Sequence, residues 1–179
     1  HGGSTVMASE LHVDAIKHSG GTSAITINSS GNVNIPGSII QVVQATTATQ
    51  STHSSTTYSD TGLTVDITPK FNTSKVLVMA KQKGFRLDPG GTTSEVGGSI
   101  GLLRGSTFIH KPGPSTGHHS FYLDGANGYA ELEVTFLDSP STTSATTYKT
   151  QCATYTARTV YCQQGGNFTS VIIAMEVAQ

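Results

Sequence analysis

Between Leu11 and Ile35 the apolar positions alternate strictly with polar ones. Leu11, Val13 and Ala15 are followed, after "HSGGTS", by Ile25 and Ile27, and after "NSSGN" by Val33 and Ile35. Period-2 alternation broken by Gly, Ser and Asn clusters predicts short β-strands joined by tight turns. Each has too narrow an apolar edge to be buried alone, and the simplest partner is the same segment of other copies of the chain. At Pro36-Gly37 the pattern changes. Longer, denser segments follow: "SIIQVVQAT", "GLTVDITP", "SKVLVMAKQK", "GSIGLLRGSTFIH", "GYAELEVTFLD", "ATTYKTQCATY", "RTVYCQQ" and "TSVIIAMEVA". Turn signals separate them, among them Asp88-Pro89-Gly90-Gly91 and Asn127-Gly128. Strands at this spacing predict a sandwich or jelly roll, and no window has helical periodicity. The expected fold class is all-β, with a thin N-terminal β stem over residues 7–36 and a jelly-roll-like β-sandwich head over residues 37–179. "HGGSTV", residues 1–6, reads as a tag remnant.

Two head segments depart from one-sided alternation. "VLVMA" (Val76 to Ala80) and "VIIAM" (Val171 to Met175) are apolar on both faces, whereas an outer sandwich strand is wet on one side. One face fills the core, and the other is expected to lie in an interface between subunits.

Composition narrows the partners. Charged residues make up 12% of the chain and net charge is −1, so no basic stripe favours nucleic acid or an anionic membrane. No run approaches the ~20 apolar residues of a membrane helix, and a signal peptide's basic and apolar regions are missing, so no membrane insertion is expected. Cys152 and Cys162 bracket "ATYTARTVY", which reads as two strand ends around a turn. A disulfide across that hairpin and a pair of buried thiols in a protein assembled in a reducing cytoplasm are both open. The spacing excludes a CxxC metal or redox site.

Candidate catalytic chemistry is thin. "GGSIG" places Ser99 in the nucleophile slot of G-x-S-x-G, but that motif works on a strand-turn-helix elbow and here the sequence continues as a strand. Glu131 and Glu133 lie two apart, about 7 Å along a strand and within reach of an inverting carboxylate pair. The alternation of Ala130, Leu132, Val134 and Phe136 explains them as a wet face instead. Adjacent histidines on a strand point to opposite faces, so His118-His119 is a poor metal pair. No enzyme activity, cofactor or metal is expected. The stretch from His110 to Tyr129 is the longest without periodicity, and it concentrates rings in a chain poor in them. His118, His119, Phe121, Tyr122 and Tyr129, with Asp124 and Asn127 as polar neighbours, are the candidate contact surface for a glycan or protein.

The stretch "PGSIIQVVQATTATQSTHSSTTYSDTGLTVDITPKFNTSKVLV", with "LLRGSTFI", "LDSPSTTSATTYKTQ" and "SVIIAMEV", resembles a module of phage tail fibres and related virion proteins, especially those of marine and cyanobacterial phages. "SELHVDAIKHSGGTSAITINSSGNVNIPG" is similar to the leader that often precedes it. The resemblance implies a C1q/TNF-like jelly-roll head on a trimeric stem, in a homotrimer located in the virion. It further implies attachment to other virion proteins through the N-terminal segment and non-catalytic binding to a host-surface glycan or protein. The alternative of the same fold is a capsid decoration or head fibre without receptor binding. The cysteine pair and the Pro/Gly/His-rich insert depart from the pattern.

Overall fold

The computed structural model describes residues 12–91, 95–112, 121–124, 127–156 and 158–179, with the backbone alone at Asp124. The sequence-predicted sites His118 and His119 lie outside these. All regular elements described are strands, apart from a single 3-10 turn at Gln164–Gly166.

Strands β1 (Ala15–Lys17), β2 (Ser23–Ile27) and β3 (Val33–Asn34) form a small antiparallel sheet. Within one chain these strands pair with one another, because "HSGGTS" and "NSSGN" both close into tight turns. Val13, Ile16, Val33 and Ile35 remain exposed on this sheet. Gly37, at φ 84°, makes the turn into the sandwich, and its N–H donates to the Ala178 carbonyl at 2.8 Å. Asn34 Nδ2 donates to the Gln179 carbonyl at 3.1 Å, so stem and head meet at the C-terminal end of the last strand.

The sandwich is built from β4 (Ile39–Thr47), β5 (Ser51–His53), β6 (Ser59–Ile67), β7 (Lys75–Asp88), β8 (Glu95–Arg104), β9 (Thr107–His110), β10 (Phe121–Asp124), β11 (Gly128–Asp138), β12 (Thr146–Thr154), β13 (Thr159–Cys162) and β14 (Ser170–Val177). Three of its positions are interrupted strands. β4 and β5 run in line along β14 and β13, which themselves run in line along β7, and β9 and β10 run in line along β8. With these joined, the first sheet has the order β4/β5, β13/β14, β7, β11, and the second the order β6, β12, β8, β9/β10. In chain order that is 1-8-3-6 against 2-7-4-5, the strand order of a jelly roll, every pairing antiparallel.

Alternation sets the layers. In β6, Thr61, Leu63, Val65 and Ile67 point inward and the intervening residues are exposed. In β11, Leu132, Val134 and Phe136 face the core, and Glu131 and Glu133 face water as a half-buried strand requires. β8 is buried along nearly its whole length. A Cβ on Gly98 would run into the Phe85 ring on the inner side, and one on Gly101 would come within 2.6 Å of Phe108 on the outer side. Two of the three glycines of "GGSIG" are thus spaces for rings.

Polar groups tie the two sheets. Asp138 of β11 accepts two hydrogen bonds from Arg104 Nη1 (2.9 and 2.8 Å) and one from the Tyr148 hydroxyl (2.7 Å), both from the opposite sheet. Burial, and then the Asp138 carboxylate, push the Tyr148 hydroxyl far above its ordinary pKa, so it stays a donor.

Candidate functional site

The outer face of the first sheet concentrates the features that can engage a partner. It is graded along the strands. At the stem end, where β4 begins and β14 finishes, Ile39, Val42, Met79 and Leu137 are exposed, and Leu77, Val171, Ile173 and Met175 are half-buried between them. A shallow groove of about 180 Å³ runs through this surface, lined by Met79, Lys81, Glu133, Thr135, Val171 and Ile173 among others. The two segments read as apolar on both faces, in β7 and β14, are neighbours here and supply its centre.

An ionic belt crosses the middle. Lys81 Nζ lies 2.8 Å from Glu131 and 3.0 Å from Glu133, and Lys83 lies 3.6 Å from Glu131. The hydrogen bond from Lys81 holds the Glu131 carboxyl below its usual pKa. Two carboxylates clamped on one lysine are not arranged as a general acid facing a base.

An aromatic corner closes the far end. Arg86 of β7 sits between two rings, its guanidinium 5.9 Å from the Tyr129 centroid and 5.3 Å from the Tyr161 centroid. Its Nη2 reaches Asp88 at 3.2 Å and Asn127 at 3.4 Å, which fixes the guanidinium plane. Tyr129 is 60% exposed and Phe168 39%, and between them lies a depression of about 240 Å³ lined by Gly84, Ala130 and Glu131. Gly84, at φ 58°, is required: a Cβ there would meet the Phe168 ring at 2.7 Å. Exposed rings beside a fixed cation and carboxylates suit stacking on a sugar face with hydrogen bonds at its edge.

The sequence-predicted contact residues are divided by the fold. Asn127 and Tyr129 join the aromatic corner. Phe121 packs against the core from β10 in the second sheet, and Tyr122, next along that strand, meets Tyr155 edge-on at 6.3 Å. His118, His119 and the Asp124 side chain lie outside the described residues. Arg86, Tyr161 and Phe168 were missed. The available signal was the alternation Gly84, Arg86, Asp88 in "GFRLD", which puts one cation on the outer face.

Ser99 is buried within β8, which continues as a strand to Arg104, so no elbow presents it. The hairpin expected between the two cysteines is not formed. β12 and β13 belong to opposite sheets, and Cys152 and Cys162 meet in the core between them as buried thiols. The imidazole of His53, from β5, joins them: the ligating atoms of all three residues lie within 4.8 Å of one another, and all three residues are buried. Sequence reasoning passed over His53 because "STHSSTTY" has no apolar alternation to mark an inward position.

No protein-family model matches the chain, and no curated protein matches it. Among solved structures, the chain has a distant similarity to the infectious bursal disease virus VP2 subviral particle, with a TM-score of 0.40 and 11% identity over 79% of this chain and 34% of that one. T=1 particles derived from infectious bursal virus give a TM-score of 0.35 and 15% identity over 82% of this chain and 38% of theirs. Dimeric latent PorU from Porphyromonas gingivalis gives a TM-score of 0.29 and 12% identity over 89% of this chain and 15% of that one. The chain therefore spans well under half the length of each of these structures.

Proposed function

We propose that the protein is a non-catalytic virion fibre protein that assembles as a homotrimer and attaches to the host surface. The observation that carries this reading is the graded outer face of the first sheet. Its stem-side half exposes Val42, Met79 and Leu137 in one surface with half-buried Ile173 and Met175. Apolar side chains exposed together on a sheet face favour association, at roughly 25 cal/mol per Å² removed from water. Ile16 and Val33, on one face of the small sheet, add further exposed apolar side chains at the same end of the head. Copies packed side by side, with their stems together, cover both at once. The jelly-roll strand order and the resemblance of the sequence to tail-fibre modules support three copies and a virion location.

In that arrangement the aromatic corner lies at the end of the head remote from the stem, where a fibre meets its target. Tyr129, Arg86, Tyr161 and Phe168 supply ring faces and a fixed cation there. The test is binding of the labelled full chain to a panel of bacterial cells that includes cyanobacteria. Arg86→Ala and Tyr129→Ala are expected to lower cell binding at least tenfold with the assembly mass unchanged. Full binding by both variants removes the corner as the contact site. Absence of binding by the unaltered chain to every cell type favours a capsid decoration of the same fold.

A further inference from the structure

The cluster of His53, Cys152 and Cys162 is unlike the rest of the core. Elsewhere the buried interior holds apolar side chains and neutral Thr, Ser and Gln groups such as Thr61, Thr150, Gln82 and Ser170, whereas here two thiols and an imidazole converge from β5, β12 and β13. His53 is 4% exposed and both cysteines are 0% exposed. Such burial rules out attack of a thiolate on a substrate, because nothing larger than an ion reaches the sulfurs. The group must act inward. A simple cross-link between the sheets would need the two sulfurs and no imidazole.

The imidazole is held as a ligand is held. His53 Nδ1 lies 2.8 Å from Ser59 Oγ, which fixes the ring plane, and Nε2 lies 2.9 Å from Ser51 Oγ. Ser51 Oγ therefore lies on the Nε2 side of the ring. Hydrogen bonding to the outer nitrogen of a ligating histidine is the usual support of a metal site. Around a tetrahedral zinc ion, with Zn–S near 2.3 Å and Zn–N near 2.0 Å, neighbouring donors stand roughly 3.5–3.8 Å apart. Donors already within 4.8 Å of one another need close by no more than about an ångström.

We propose that His53 Nε2, Cys152 Sγ and Cys162 Sγ form a structural zinc site that joins the two sheets of the sandwich, with Ser51 Oγ at the fourth position. Charge selects the ion. Binding converts two thiols and Zn²⁺ into a zinc dithiolate and two released protons, and the product is neutral. A neutral centre can be buried without an unpaired charge, whereas a monovalent soft cation on the same two thiolates leaves one.

The experiment refolds the reduced full chain from denaturant with Co²⁺ as a spectroscopic probe and then titrates Zn²⁺. Expected are one equivalent of cobalt, a thiolate-to-cobalt band in the near ultraviolet, intense visible bands of a tetrahedral centre, and loss of both on adding zinc. His53→Gln is expected to weaken cobalt binding at least tenfold, and Cys162→Ser to abolish the near-ultraviolet band. Zinc content of the protein purified from zinc-supplemented cells gives a second reading that needs no refolding, with about one ion per chain expected for the parent and little for Cys162→Ser. Two free thiols with no bound metal in both preparations, or a disulfide in the protein as purified, overturns the proposal.

Discussion

The hydroxyl of Tyr148 offers a perturbation that changes one hydrogen bond and almost no volume. It donates at 2.7 Å to the Asp138 carboxylate, inside the sandwich, while Arg104 Nη1 holds both oxygens of the same group. Tyr148→Phe removes a hydrogen bond to a charged group, worth about 1.5–3 kcal/mol. Asp138 keeps its Arg104 bonds, so a loss near the middle of that range, about 2 kcal/mol, is expected. For a chain of this size each kcal/mol shifts the melting temperature by about 2–4 °C, which gives a fall of about 4–8 °C. Asp138→Ala is more severe, because it leaves the fully buried Tyr148 hydroxyl and the Arg104 guanidinium without their partner, at a cost of about 3–5 kcal/mol. Both variants, and the double variant, are compared with the parent by thermal circular dichroism at one protein concentration, which removes any effect of assembly on the midpoint. The double variant should cost less than the two singles added together, since each single breaks the same bond. A Tyr148→Phe melting point within a degree of the parent refutes the claim that this bond ties the sheets together.

Two further outcomes follow from named contacts. Gly98→Val drives a side chain into Phe85 and to within 3.2 Å of Val160, so it should destabilise the head by about 1–3 kcal/mol in urea unfolding, and Gly98→Val with Phe85→Leu should recover part of that loss. Glu131 is held below the usual carboxylate pKa first by its hydrogen bond from Lys81, so its stabilising effect is present above the unfolded-state value and is lost as pH falls through the lowered folded value; Lys81→Ala should move the Glu131 midpoint upward in a carboxyl NMR titration, and an unchanged midpoint would break the link.

Much of this architecture was legible in the order of apolar residues, and particular residues show why the rest was not. The alternation in β6 and β11 fixes which side chains face the core, and Pro36-Gly37 marks the joint because proline cannot continue a ladder and Gly37 takes a positive φ. The double-faced runs in β7 and β14 foretold the exposed apolar patch, since a strand that alternates cleanly has no second apolar face to expose. The burial of β8 was not legible, because it depends on rings from Phe85 and Phe108 that fill the space over glycines, and that information lies on other strands. The candidate sites were partly hidden by the same distance effect. Tyr129 and Asn127 were found because they fall in an aperiodic stretch, but Arg86 and Tyr161 become their neighbours only through the pairing of β7 with β11 and β13. Cysteine spacing suggested a hairpin, whereas the chain crosses between sheets after Tyr155, and only that crossing brings His53 to the two sulfurs.

The central claim is that the stem-side half of the outer face is covered by other copies of this chain. The measurement is the mass of the full chain by light scattering after gel filtration at micromolar concentration, alongside Met79→Glu and Ile173→Glu, which put charge on that face without touching the core. Three copies are expected for the parent, and dissociation toward monomer with an unchanged far-ultraviolet spectrum for each variant. A parent that elutes as a stable monomer, or variants that assemble as the parent does, would contradict it.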